Sequence, residues 1–129
     1  MYGEIINGKS VGNYQLGCTI QELKGKISED YTEESLANHH TITTKNIKFW
    51  ISKEKNIVTQ IMVFGSYNGK FKDSIGIGNT ISDLRKIGIK YSKEDYIYTL
   101  PDYSGICFEL EDIDDWDEYN APIESISIF

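Results

Sequence analysis

The stretch ELEDIDDWDEYN, residues 109–120, carries seven carboxylates and no basic side chain. Glu109, Glu111, Asp112, Asp114, Asp115, Asp117 and Glu118 could ligate a hard cation, exchange protons with a substrate, or present charge to a partner. Calcium needs several oxygens at set places along a loop. With Asp112 as first ligand, Trp116 takes the fifth place, which needs an oxygen, and Asp117 the sixth, which needs glycine. The spacing therefore predicts a solvated acidic loop and no metal.

Catalytic readings fare no better. Pro101-Asp102 followed by Glu109-Leu110-Glu111 is similar to the PD…(D/E)xK arrangement of metal-dependent nucleases, but Glu111 stands where lysine is required and no basic residue follows Lys93. Ordinary turn chemistry accounts for Pro101-Asp102. His39 and His40 are adjacent, so on a strand they point to opposite faces and cannot share a ligand. Cys107 alternates in phase with Glu109, a neighbour that raises a thiol's pKa. We expect no catalytic residue, no cofactor and no metal. The aromatics are more informative: Tyr96, Tyr98, Tyr103, Trp116 and Tyr119 all fall in the charged C-terminal third. Tyr and Trp anchor interfaces, offering large contact area at small entropic cost. Trp116, between Asp115 and Asp117, is expected to be partly exposed, and Tyr96 and Tyr98 to share one face of a strand.

The charge is lopsided as well. The chain of 129 residues has a formal charge of −7, all of it in residues 65–129. Such a surface repels phosphates, which argues against direct nucleic-acid binding, and it speeds association with a basic protein. With 40% hydrophobic and 26% charged residues the composition is that of a globular domain. The start, MYGEIINGKS, lacks the pattern of a secretory signal, and no apolar run is long enough to span a membrane. Cytoplasmic residence is the expectation, with Cys18 and Cys107 as thiols.

Four blocks recur in order. Asn7-Gly8-Lys9 returns as Asn68-Gly69-Lys70, LGCTIQELK (16–24) as IGNTISDLR (77–85), NIKFWI (46–51) as GICFEL (105–110), and IVTQIMVF (57–64) as PIESISIF (122–129). Uneven spacing between the blocks means that loops differ while elements correspond. Thr19 and Thr80 read as N-caps, with Glu22 and Asp83 completing capping boxes. Ile20, Leu23 and Ile27, then Ile81, Leu84 and Ile87, form apolar stripes of short helices. Ile47, Phe49 and Ile51 alternate with Lys48 and Trp50, as Ile106, Phe108 and Leu110 do with Glu109 and Glu111. Residues 52–56 and 101–105 read as turns. The whole is predicted to be one α+β domain, 1–129, of two tandem half-repeats (1–64 and 65–129). Each half is a short hairpin, a helix, and two or three antiparallel strands covered by helices on one face. Residues 111–121 enlarge a loop that is short in the first half, and were not needed to build the fold.

With its Asn-Gly-Lys start, its Leu/Ile-Gly-x-Thr-Ile helix starts and its GICFELED…API..ISIF hairpin, the chain resembles the immunity proteins of bacterial contact-dependent growth inhibition. The duplicated layout is similar in outline to β-lactamase inhibitor proteins. The first resemblance implies a monomer that binds a cognate toxin's C-terminal domain one to one. Such toxins are commonly nucleases with basic active sites, often acting on transfer RNA. The partner surface would comprise Asp102, Tyr103, Glu109, Glu111, Asp112, Asp114, Asp115, Trp116, Asp117, Glu118 and Tyr119. Two other readings stand beside it: a small metal-dependent enzyme using Asp102, Glu109 and Glu111, or a non-catalytic adaptor.

Overall fold

The computed structural model describes residues 3–129. A small three-stranded sheet opens the chain, from β1 (Ile5–Ile6), β2 (Ser10–Val11) and β3 (Tyr14–Gln15). Helix α1 (Ile20–Lys26) and a meander of β4 (Thr32–Ser35), β5 (His39–Thr43), β6 (Ile47–Ser52) and β7 (Val58–Phe64) follow. The second half brings α2 (Ile81–Lys86), then β8 (Ser92–Glu94), β9 (Ile97–Leu100), β10 (Tyr103–Leu110) and β11 (Ile123–Ile128). All eight strands after α1 form one antiparallel sheet in the order β4-β5-β6-β7-β11-β10-β9-β8. The class is α+β, as expected.

Both helices start where the caps predict. Thr19 and Thr80 accept from the backbone N–H groups of Glu22 and Asp83, whose carboxylates return to the backbone N–H groups of the two threonines. Leu23, Ile81 and Leu84 are buried in one core with Phe49, Ile61, Phe108 and Ile126. The second stripe is shorter than its spacing suggests: Ile87 is the C-cap of α2 and is exposed, because the helix has already ended.

Residues matched between the halves hold matching places in the sheet. Ile47 pairs with Val63 and Phe49 with Ile61, while Ile106 pairs with Ile128 and Phe108 with Ile126. The register slips between Trp50 and Ile51 in one ladder and between Glu109 and Leu110 in the other. Gly17 N–H donates to Val58 and Gly78 N–H to Ile123, tying the turn before each helix to the last strand of its meander. These two glycines have φ of 86° and 91°, a left-handed turn that side chains disfavour.

Three expectations need correction. Four strands rather than two or three follow the helix in each half, since the polar β4 (TEES) and β8 (SKE) carry no apolar alternation to betray them. Before α2 there is no hairpin of strands; Phe71 makes isolated bridges to Ile75 and to Ile5. The turn at Pro101-Asp102 is shorter than 101–105, because Tyr103–Gly105 already belong to β10.

Gly105 lies in a stretch of β10 where the register with β9 shifts, at φ 75°. Its carbonyl accepts from the N–H groups of Gly8 and Phe129, so the N-terminal turn, β10 and the C-terminus meet there. A Cβ at this point would stand 2.7 Å from both the Gly8 Cα and the Phe129 carbonyl oxygen. Gly105→Ala is therefore expected to lower stability by about 2 kcal/mol, read as a fall in the urea midpoint. A midpoint equal to the parent's would show that this approach does not constrain the fold.

Candidate functional site

The two meanders differ most in their last turn. β6 and β7 are joined by residues 53–57, β10 and β11 by residues 111–122. The longer loop is built into the fold, against the expectation that it is dispensable. Its Tyr119 carbonyl accepts from the N–H and the hydroxyl of Ser82 on α2, and the Tyr119 ring lies 5.2 Å from the Arg85 guanidinium.

Two of the seven acids are part of this anchoring. Asp117 accepts from the Tyr119 N–H and the Asn120 amide, closing the turn that ends the loop. Glu118 accepts from the Tyr98 hydroxyl at 2.7 Å and pairs with Lys93 at 3.0 Å. Tyr98 is buried beneath the loop and stacked on Phe108, with 5.3 Å between ring centroids. The Tyr98 hydrogen bond, and after it the Lys93 contact, holds the Glu118 carboxyl below the usual carboxylate range. Burial, then the same hydrogen bond, drives the Tyr98 phenol well above its usual value.

The side chains of Glu111, Asp112, Asp114 and Asp115 have no hydrogen-bond or ion-pair partner among the described residues, and Glu109 meets only the Ser125 hydroxyl, at 3.4 Å. Beside them Tyr96, Tyr98, Leu110, Asp112 and Trp116 line a cavity of about 420 Å³. Trp116 is 39% exposed, as its charged neighbours suggest. Tyr96 and Tyr98 do not share a strand face. Tyr98 is in the core, whereas Tyr96 precedes β9 in a two-residue turn and is 74% exposed.

Asp102 and Tyr103 stand apart from the acidic loop. They lie at the other end of β10, about 25 Å away for an eight-residue strand, where the Tyr103 ring meets Phe71 and Lys72. Asp102, Glu109 and Glu111 therefore make no common metal site, and no group of three or more His, Cys, Asp or Glu side chains suited to a metal occurs among the described residues. Tyr119 is also separated from Trp116, lining a different cleft with Arg85 and Tyr91. Both cysteines are free thiols. Burial raises the Cys107 thiol first, and Glu109 adds to it. No described helix is long and apolar enough to cross a membrane.

Sequence reasoning missed Lys93 as part of this site, and left Tyr96 and Tyr98, though among the aromatics it singled out, off the partner surface. Nothing marks Glu118 off from six other acids, and the turn at Asp95-Tyr96 lacks the glycine that would announce it. No protein-family model matches the chain, and neither a curated protein nor a solved structure is significantly similar to it. The layout's outline likeness to β-lactamase inhibitor proteins thus gains no support from them.

The Tyr98–Glu118 bond has a definite pH window. Glu118's folded pKa is lowered, so its contribution is present at neutral pH and lost as pH falls through that value. Tyr98's is raised, so its contribution persists until pH climbs past the ordinary phenol range. Tyr98→Phe keeps the stacked ring and is expected to cost about 1 kcal/mol at pH 7. The difference from the parent should vanish in acid; a gap that persists below the carboxylate range would contradict the assignment.

Proposed function

We propose that this protein is an immunity protein, which binds and neutralises the basic C-terminal domain of a bacterial toxin, such as a nuclease acting on transfer RNA, through its acidic aromatic loop. The observation that carries this reading is the set of unpartnered carboxylates at Glu111, Asp112, Asp114 and Asp115, held beside the exposed Trp116 on a loop fastened to α2 and β9. Carboxylates without internal partners contribute little to the fold. Fixed in place, they attract a cationic surface without a large ordering cost. The basic groove that a nuclease uses for phosphates is complementary to such a surface, and a neighbouring cell's toxin must be captured before it turns over, which favours electrostatic steering.

Relative to the surface expected from sequence, the proposed contact region loses Asp102, Tyr103 and Tyr119. Asp117 and Glu118 shape it from within. Glu109, on the solvent side of the sheet, extends it along β10. The protein acts here as a binder in a one-to-one complex within the cytoplasm, without nucleic acid, membrane or cofactor.

The decisive experiment is co-expression with the C-terminal domain of the polypeptide encoded directly upstream. Restored growth and a one-to-one complex are expected. No complex, together with a calorimetric signal for Mg²⁺ or Ca²⁺, would replace this reading with a metal-dependent one. Reversing Glu111, Asp114 and Asp115 to Lys is expected to slow association about ten-fold at low salt and to flatten its salt dependence. Stopped-flow rates unchanged across ionic strength would remove the steering argument.

A further inference from the structure

The cavity lined by Tyr96, Tyr98, Leu110, Asp112 and Trp116 has a composition that specifies its occupant. Its floor is the buried Tyr98 ring, held in place by Phe108 and Glu118. Tyr96 and Trp116 are its exposed rings, and Asp112 is its one carboxylate, without an internal partner. Aromatic faces carry negative quadrupole potential and attract cations, most strongly where water is partly excluded. Phosphates and carboxylates are repelled by Asp112 and the acids around it, while a metal ion would find a single carboxylate there. The volume of about 420 Å³ suits a side chain or another small group.

A cation already lies beside this floor. Lys93 Nζ stands 5.9 Å from the Tyr98 ring centroid, and its charge is matched by Glu118. The paired lysine therefore leaves the attraction of Asp112 and the open rings uncancelled.

The turn beside the cavity supports the same reading. Asp95 and Tyr96 form the two-residue link between β8 and β9, with φ of 49° and 68°. Such a link favours Asn-Gly, and a bulky aromatic there is strained. Tyr96 gains no core burial in return, being 74% exposed. Its ring stands at the cavity instead.

We infer that this cavity receives an arginine side chain of the protein's basic partner, the guanidinium stacking on Tyr96 and Trp116 and pairing with Asp112. Arginine fits better than lysine because its planar group both stacks on rings and presents a fork of donors to a carboxylate. This assignment rests on the proposal that the partner is a basic protein, and names the group by which it is held.

The test uses hexa-arginine and hexa-lysine as probes, at matched ionic strength, with Trp116 fluorescence read in a Trp50→Phe background. Should that substitution disturb folding, the Trp116 indole N–H resonance of the unaltered chain gives the same readout. Hexa-arginine is expected to perturb Trp116 and to bind about five-fold more tightly than hexa-lysine, with Tyr96→Gly and Asp112→Asn each weakening it about five-fold. Tyr96→Gly should at the same time keep or raise the melting temperature, since glycine suits the turn, a combination that a purely structural role would not produce. Equal binding of the two peptides, unaffected by either variant, overturns the assignment. So does an undiminished affinity of Tyr96→Gly for the toxin domain, which would leave the inhibitor reading standing. Absence of any toxin complex, with the peptide results as expected, would sink the inhibitor reading alone.

Discussion

The pairing of β7 with β11 is the constraint on which the rest of the structure depends. Every other ladder of the eight-stranded sheet joins strands adjacent in sequence; this one joins the two meanders. Met62 faces Ser127 at its middle, with Ile61 opposite Ile128 and Val63 opposite Ile126. The four isoleucine and valine side chains are buried, so the seam is also the centre of the core. A slip of one residue would turn the two on the shifted strand outward. Pairings within each meander are local, whereas this one closes a long loop of chain. The seam is therefore where two half-sheets become one sheet.

From that seam outward, the two meanders share several local features and end differently. The same capping box, the same glycine-to-strand hydrogen bond and the same slip in register occur in each. In the first, a short turn closes β6 onto β7, and Asn56 touches Gln21 of α1. In the second, the longer loop reaches α2 through Ser82 and reaches under itself to Tyr98. Extra length there is compatible with order because each end of the insertion is tied down. The strong clustering of like charges is tolerable because Lys93 and Arg85 stand at its base, while the remaining acids face water.

Much of this was legible in the sequence. The caps at Thr19 and Thr80 and the alternation around Phe49 and Phe108 identify the helices and inner strands because local rules dominate there. β4 and β8 were invisible, for their residues are polar on both faces and only their neighbours hold them in place. The turn at Asp95-Tyr96 was hidden by the absence of glycine, which made Tyr96 read as a strand residue. Within the acidic run, charge was evident but role was not. Glu118 differs from Asp114 only through Tyr98 and Lys93, twenty and twenty-five residues away in the chain, and no local pattern encodes that meeting.

The polar character of β4 and β8 matters beyond their obscurity. These two strands end the sheet, and each leaves a row of backbone donors and acceptors without a neighbour, the template on which copies of a β-protein stack into fibrils. Both are short, and every residue in them is exposed. Glu33, paired with Lys24, and Glu34 stand on one edge and Lys93 and Glu94 on the other, charged side chains that would lose water if two such edges were to pair. Charge on two short edges thereby disfavours the stacking of this chain on its own copies.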